Sequence, residues 1–215
     1  FGPHTALRLR HAHGPAALEV VPALGARLLR LALPLPGSTA SLEVLAGPQA
    51  YEEALADTAY HNAWLLPWAN RIRDGRYAFE GRAHQLPINE PARHTALHGF
   101  ADRAAWQAAA PALMPGFAEV ALTYAHGGSY EGYPYPFEAQ LRLRLAPGAL
   151  AVALTARNTG ATALPFSAAW HPYVSLGGAP LEGLLFQLPA RAWQYAVDQR
   201  LLPTLHTLPE RHFQA

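Results

Sequence analysis

His171 stands in a sequence context that suits proton transfer. It belongs to Trp170-His171-Pro172-Tyr173, at the end of an apolar run over residues 163–170. Because proline disfavours the α region for the residue before it, we expect His171 on extended backbone. A histidine fixed in this way can act as a general acid, since its charge changes near neutral pH. The same pattern also fits a structural histidine that hydrogen-bonds its own backbone, and these residues alone leave both interpretations open.

A second group of polar and aromatic residues lies about a hundred positions upstream. Trp68, Asn70 and Arg71 come shortly before Asp74-Gly75, which is a strong turn signal between two strand-like pieces. A flat indole beside amide and guanidinium donors suits a ligand rich in hydroxyl groups, such as a carbohydrate. The alternative is a solvated arginine with an asparagine that caps the turn.

A third candidate, His98, lies in Leu97-His98-Gly99-Phe100. The glycine after it permits a positive φ or a close backbone approach. Taken alone, His98 is more typical of a structural histidine. Further along, residues 130–137 form an aromatic, proline-containing turn that we expect to cover the open end of a sheet structure or to line a pocket.

The histidines also raise the hypothesis of a metal site. The chain has 11 histidines, and His11-x-His13 and His94-x3-His98 have ligand-like spacing. The second pair needs a helix to bring its rings together, and nearby Pro91 with the Leu97-His98-Gly99 turn argues against one. Cysteine is absent, which excludes disulfides and thiolate ligands. We therefore do not expect a catalytic metal.

Composition limits the range of partners. The 215 residues are 51% hydrophobic and 14% charged, so a sizeable core can form, and the formal net charge is +1. All 16 basic residues are arginines. So small a net charge favours neither nucleic acid nor a membrane surface as a partner. The longest apolar runs, such as residues 23–36, contain arginines and are too short for a membrane span.

The elements that must position the candidate residues are mostly strands. Several segments alternate apolar and polar residues with the period of two that strands show. They are residues 6–10, 18–21, 25–31, 117–124, 137–145 and 150–158. The last two flank a Pro147-Gly148 turn signal and predict a hairpin, whereas residues 49–55 predict one short helix. Many short strands without a linker between them predict a single all-β domain over residues 1–215, a sandwich or a barrel.

In order, four motifs resemble those of the aldose 1-epimerases (galactose mutarotases). The motifs are Asn70-Arg71-Ile72, Leu97-His98-Gly99, Tyr133-Pro134 and His171-Pro172-Tyr173. The resemblance runs from about Leu18 to Thr204, which is nearly the whole chain. Each motif is weak by itself, and the specificity comes from finding all four in the family's order at compatible spacing.

The resemblance implies a β-supersandwich, the galactose mutarotase-like fold, and interconversion of the α and β anomers of an aldohexose without cofactor or metal. By that likeness His171 is the general acid that protonates the ring oxygen, and His98 hydrogen-bonds the sugar near the reacting centre. Asn70 and Arg71 bind sugar hydroxyls, and Tyr173 lies at the edge of the same cleft. With Trp68, these residues make up the predicted site.

The family pattern is incomplete in this sequence. In the family, a glutamate near the carboxyl terminus is the general base, and an acidic sugar-binding residue lies between it and the His-Pro-Tyr motif. Glu182 and Glu210 follow His171, and neither stands in a matching context. We expect that the sequence lacks part of a carboxy-terminal segment of family-typical length; the other hypothesis is a protein that has lost its base.

Two further hypotheses stay open. One is a non-catalytic sugar-binding or sensing domain on the same fold, which would need no base. The other is an epimerase of hexose 6-phosphates, for which Arg73, Arg76 and Arg93 could supply positive charge. We expect a cytoplasmic monomer or homodimer, since no signal peptide is visible, although the chain begins at Phe1 and a targeting segment could have been removed.

Overall fold

The computed structural model describes residues 1–12, 14–38, 40–185 and 195–207 of the chain. Within these residues, the chain forms two compact units. Unit 1 comprises Phe1–Ala69 and His98–Gly177, and unit 2 comprises Asn70–Leu97 together with the described residues from Gly178 onward.

Short strands dominate both units. In chain order they are β1 (Leu7–Arg10), β2 (Ala17–Val21), β3 (Arg27–Pro34), β4 (Ser41–Glu43), β5 (Trp64–Leu65), β6 (Arg71–Arg73), β7 (Arg76–Phe79), β8 (Arg82–Gln85), β9 (Thr95–Leu97), β10 (Gln107–Ala108), β11 (Ala112–Met114), β12 (Phe117–His126), β13 (Phe137–Ala146), β14 (Ala149–Asn158), β15 (Ala169–Trp170), β16 (Tyr195–Val197) and β17 (Pro203–Thr207). One α-helix, α1 (Tyr51–Ala56), and three short 3-10 helices, Pro91–Arg93, Ala101–Arg103 and Leu181–Gly183, complete the described elements.

Unit 1 contains two larger antiparallel sheets and the short antiparallel pair of β5 with β15. The first is a meander in the order β1-β2-β3-β4, with Leu18, Val20 and Leu28 fully buried. The second has the order β10-β12-β13-β14, and β11 also pairs with β12. Alternate residues of β13 are buried apolar side chains, and those between them, such as Arg142 and Arg144, reach toward solvent. This period of two is what places a core on one face of a sheet.

The predicted hairpin is confirmed. Strands β13 and β14 pair antiparallel from Phe137 opposite Asn158 to Ala146 opposite Ala149. The predicted short helix is also present, displaced by one or two residues, as α1. The remaining predicted strands correspond to β1, β2, β3 and β12, so the all-β expectation is confirmed.

Unit 2 is built from two-stranded pairs, β6 with β9, β7 with β8, and β16 with β17. The Asp74-Gly75 turn lies where it was predicted, between β6 and β7. These two strands nevertheless do not pair with each other: β6 pairs with β9, and β7 pairs with β8. The Leu86 amide donates to the Gly75 carbonyl at 2.8 Å and so extends the β7–β8 ladder into the turn. In the described part of the chain, no helix has the length and hydropathy that crossing a bilayer requires.

Candidate active site

The backbone of His171 continues a short strand pair. β15 ends at Trp170 and lies antiparallel to β5, with Trp170 opposite Trp64 and their rings stacked at 5.2 Å. The His171 amide then donates to the Ala63 carbonyl at 3.0 Å. The Asn62 amide donates to the His171 carbonyl at 2.9 Å. His171 is therefore held directly after a strand end, as its position before proline predicted.

Asn62 fixes the residues that follow. It is fully buried, and its side-chain carbonyl accepts a hydrogen bond of 3.0 Å from the Tyr173 amide. Its side-chain amide donates to the Ala46 carbonyl at 2.9 Å. Pro172 has no amide proton to contribute to the ladder, and the Asn62 side chain takes over the pairing one residue later. A buried polar group with its hydrogen bonds satisfied holds the His-Pro-Tyr motif firmly in place.

His98 owes its position to an unusual backbone path. Its φ is +62°, and Gly99 follows with a φ of +71°. A Cβ atom at Gly99 would lie 1.8 Å from the Leu66 carbonyl oxygen, and the Phe100 amide donates to that same oxygen at 2.8 Å. The close approach that the glycine suggested is therefore present, and it turns His98 out of β9 toward other rings of unit 1.

The rings of His98 and His171 lie edge to face, with centroids 5.5 Å apart and planes at 70°. Tyr60 packs against His98 at 4.7 Å, and Tyr173 lies nearly parallel to His171 at 5.5 Å. Two imidazoles at this separation can both hydrogen-bond one small ligand, or pass protons to neighbouring atoms of it. The structure thus brings together three of the predicted residues, His98, His171 and Tyr173.

An Asp–His pair lies beside them, formed by Asp57 and His61. The His61 ring packs on Tyr173 with centroids 3.9 Å apart, and its Nδ1 lies 3.0 Å from Oδ1 of Asp57. The Arg27 guanidinium donates to Oδ2 of Asp57 at 2.8 Å, and these two side chains are 1% and 6% exposed. None of these three residues was predicted from the sequence, in which the i,i+4 spacing of Asp57 and His61 is their single, weak signal.

Burial and hydrogen bonding together set the pKa values of His171 and Asp57. Burial lowers the pKa of His171 below its ordinary 6.5, and positive charge on His61 lowers it further. A hydrogen bond with its own backbone and the negative charge of Asp57 oppose that change. Burial also raises the pKa of Asp57, but hydrogen bonds from the His61 ring and from two amides outweigh it, so that this pKa lies below its usual range. Asp57 is therefore a carboxylate at neutral pH.

Trp68 belongs to an aromatic cluster of unit 1 and is 8% exposed. Phe100 lies against its edge at 5.8 Å, and Tyr130 stacks on Phe100 at 4.0 Å. The Tyr133 hydroxyl donates to the Pro165 carbonyl at 2.6 Å. The aromatic turn over residues 130–137 thus covers the indole of Trp68.

In unit 2, Arg71 is part of an ion pair. Its Nε and NH2 donate to the two carboxylate oxygens of Glu90 at 2.7 and 2.8 Å, and its NH1 lies 3.3 Å from Oδ1 of Asn70. The Arg71 side chain is 16% exposed, whereas Asn70 is exposed and has a φ of +65°. The structure therefore places Asn70 and Arg71 side by side at the start of β6.

Glu90 is the centre of a hydrogen-bond network that no sequence motif predicted. Besides Arg71, it accepts hydrogen bonds from Arg93 NH1 at 2.9 Å and from the Thr95 hydroxyl at 2.6 Å. The bond from Arg71 contributes most and, together with the others, lowers the pKa of Glu90 from 4.5 to about 2, although burial opposes this. Arg71 is thus held in one orientation by a carboxylate that stays ionised at neutral pH.

The arginines considered for a phosphate each have another acceptor. Arg93 bonds Glu90, Arg73 lies 3.4 Å from Asp198, and Arg76 donates to the Gln85 side chain at 3.1 Å. The structure therefore gives no sign of a shared anion site for these three groups within the described residues.

His94 and His98, the histidine pair with ligand-like spacing, are not joined by a helix. His94 ends the 3-10 helix Pro91–Arg93 with a φ of +50°, and β9 follows it, so a strand and not a helix connects His94 to His98. Of the other pair, His13 lies outside the described residues. Glu182 is exposed in the 3-10 helix Leu181–Gly183, and Glu210 lies outside the described residues.

The sequence matches one family model, that of aldose 1-epimerase, over residues 7–214. It is 37% identical over 148 residues to the uncharacterized protein YihR of Escherichia coli, covering 68% of this chain and 46% of that protein. It is 29% identical over 166 residues to the galactose mutarotase of Rattus norvegicus, covering 75% of this chain and 46% of that protein. The chain thus spans about half the length of these curated relatives.

Two solved structures show the fold. A galactose mutarotase-like protein from Clostridium acetobutylicum superposes with a TM-score of 0.80 at 19% identity, covering 95% of this chain and 61% of that one. The galactose 1-epimerase of Lactobacillus acidophilus gives a TM-score of 0.75 at 22% identity, covering 94% of this chain and 57% of that one. The predicted galactose mutarotase-like β-sandwich fold is confirmed.

Proposed function

Because this chain belongs to the aldose 1-epimerase family, we propose that it interconverts the α and β anomers of a free hexose by opening and closing the sugar ring. The observation that carries this proposal is the edge-to-face pair of His98 and His171, with centroids 5.5 Å apart. Two fixed imidazoles match a reaction whose chemical steps are proton transfers.

In the proposed mechanism, His171 donates a proton to the ring oxygen O5 while the C1–O5 bond breaks. A second group accepts the proton of the C1 hydroxyl, and the C1–O1 bond becomes the carbonyl of the open-chain aldehyde. Rotation about C1–C2 exposes the other face of that carbonyl. Ring closure then reverses both proton transfers, so atoms and charge balance over the cycle. We assign the acid to His171 and a hydrogen bond near C1 to His98.

The protonation of His171 suits a donor to a weakly basic oxygen. Since burial lowers its pKa below 6.5, the imidazolium form is a stronger acid than a solvated histidine would be. Transfer of its proton to O5 in the ring-opening step therefore costs less free energy. The same ring, once neutral, recovers the proton from O5 when the ring closes.

We assign the remaining residues to binding. Tyr173 packs on His171 and would border the sugar. In unit 2, Asn70 and Arg71 would hydrogen-bond sugar hydroxyls, as the family resemblance implies. Arg71 has five N–H groups, and three of them point to Glu90 and Asn70. Two remain for a ligand as far as the described residues are concerned. Trp68 would contribute to sugar binding from the aromatic cluster of unit 1.

Polarimetry tests the proposal. The purified protein is added to freshly dissolved α-glucose, α-galactose and glucose 6-phosphate, and the approach to the anomeric equilibrium is followed. We expect acceleration with a free hexose, and loss of it in a His171→Ala variant that keeps its thermal stability. His94→Ala serves as the matched control in unit 2.

Rates equal to the buffer background with every sugar would refute the proposal. Sugar binding detected by calorimetry would then favour the non-catalytic domain, and acceleration limited to glucose 6-phosphate would favour the phosphohexose epimerase.

A further inference from the structure

We propose that His61, which Asp57 holds, is a positioning residue for His171. The inference rests on the function proposed above, because it concerns how the acid of that reaction is kept in place. It assigns to the pair a part in the reaction that neither the motifs nor the family resemblance indicated.

The first support is the backbone. The segment formed by residues 61–63 makes three hydrogen bonds with the His-Pro-Tyr motif, two to His171 and one to Tyr173. Whatever fixes this segment therefore fixes the backbone of His171. Asp57 does so, because its carboxylate accepts hydrogen bonds from the amides of Ala59 at 3.0 Å and His61 at 2.8 Å.

The second support is the ring contact. The His61 ring lies on one side of Tyr173 at 3.9 Å, and the His171 ring lies at 5.5 Å from the same tyrosine. The bond from His61 Nδ1 to Asp57 sets the orientation of the His61 ring. Tyr173 thus packs against both histidines, and rotation of the His61 ring would remove one of these two contacts.

The third support is that the anchor itself is buried and paired. Arg27 and Asp57 face each other at 2.8 Å with almost no exposure. Two other nitrogens of Arg27, Nε and NH2, have no hydrogen-bond partner among the described residues. Removing one member of such a pair leaves a buried charge without compensation, so the pair resists displacement. Asp57 is therefore a fixed point from which His61 can be oriented.

Several titratable groups surround His171 and must be considered together. His98 and Tyr173 contact its ring, and Tyr60 lies behind His98. His61 and Asp57 act on it through their charges. Behind them, Arg27 also acts on Asp102, a buried carboxyl whose pKa is raised by burial. The positive charge of His61 opposes protonation of His171, whereas the negative charge of Asp57 favours it.

Two substitutions separate the parts of this arrangement. His61→Phe keeps a ring against Tyr173 and removes both the charge and the bond to Asp57. His61→Asn keeps a donor for Asp57 and removes the ring. His94→Asn is the control, because it removes another ring bound to a carboxylate, with Nδ1 3.1 Å from Asp74 Oδ1 in unit 2.

The decisive readout is the pKa of the His171 imidazole, measured by NMR titration of the protein. We expect both His61 variants to raise it by about half a pH unit, because a like charge is removed. We also expect a roughly tenfold lower kcat for mutarotation, with a smaller change in KM, because the acid is less well placed. The midpoint of the pH–rate profile should rise with the pKa, and His94→Asn should change none of these quantities.

The titration and the activity can fail separately. If both folded His61 variants leave the His171 pKa and the pH–rate profile unchanged, the positioning role is wrong even though the enzyme is active. If the wild-type protein accelerates mutarotation of no sugar, the proposed function fails, while the titration still decides whether His61 acts on His171. Should His61→Phe not fold, His61→Asn decides alone.

Discussion

The two units hold their candidate sugar-site residues by different means. In unit 1, His98 and His171 are placed by backbone hydrogen bonds, a glycine contact and ring packing. In unit 2, Arg71 is placed by a carboxylate that binds it through two oxygens. Backbone contacts and ring packing thus place the two histidines of unit 1, whereas an ion pair places Arg71 of unit 2.

The difference has a chemical consequence. Burial without a strong ionic partner lowers the pKa of His171, so that its charge can change near neutral pH. In unit 2 the ion pair fixes the charge instead, because it lowers the pKa of Glu90 to about 2 and so keeps this carboxylate ionised at neutral pH. We therefore expect the histidines of unit 1 to govern kcat and the arginine of unit 2 to govern binding.

The largest expected effect comes from removing the ring of His171. His171→Ala should lower kcat for mutarotation by roughly 10²–10⁴-fold, which is what a positioned acid contributes. Thermal unfolding should change little, because the hydrogen bonds at this position come from the backbone. Polarimetry and differential scanning calorimetry on the same preparation check both statements. A protein that unfolds, or one that keeps its rate, would instead indicate a structural histidine.

A backbone substitution in unit 1 should come next. Gly99→Ala places a Cβ against the Leu66 carbonyl at a φ of +71°, and we expect a loss of about 3 kcal/mol or more in the free energy of unfolding. Gly37→Ala is the matched control in the same unit, with a φ of +73° and no atom within 4 Å. Its loss should be about 1 kcal/mol, the effect of the φ alone. Equal losses in urea denaturation would show that the contact with Leu66 does not fix His98.

The sequence predicted the parts of this site that depend on local chemistry. The period of two found most strands of unit 1, and the Pro147-Gly148 signal found the hairpin between β13 and β14. The neighbours of the two histidines were informative. Pro172 restricts the backbone of His171, and Gly99 permits the close backbone approach that follows His98. Four short motifs in order also identified the family.

The residues that hold these groups were not predictable in the same way. Asn62 and Asp57 act through pairing across the fold, with partners at Tyr173 and Arg27. Glu90 lies 19 positions from Arg71, and no local pattern connects them. Such contacts depend on which strands pair. In unit 2 the Asp74-Gly75 turn after β6 does not predict that β6 pairs with β9.

A smaller effect is expected in unit 2. Glu90→Gln removes the charge that orients Arg71, and we expect a loss of about 2–3 kcal/mol in the free energy of unfolding at pH 7. Because the folded pKa of Glu90 is depressed, this stabilisation is complete above pH 4.5 and disappears as the pH falls toward 2. The two proteins should therefore become equally stable in acid. We expect a higher KM and an unchanged His171 pKa; a changed kcat with an unchanged KM would break the division between the units.

The smallest effect is a pH dependence of stability that belongs to unit 1. The folded pKa of His171 lies below 6.5, so the unfolded state binds more protons just below that pH. Stability should therefore fall as the pH drops from 6.5 toward the folded pKa, well above the range in which Glu90 titrates. Urea denaturation between pH 7.5 and 5 should show a shallower slope in His171→Gln than in the wild type, and the same slope in Glu90→Gln. An equal reduction in both variants would mean that the two regions titrate as one network, and the contrast between placement by burial and placement by charge would not hold.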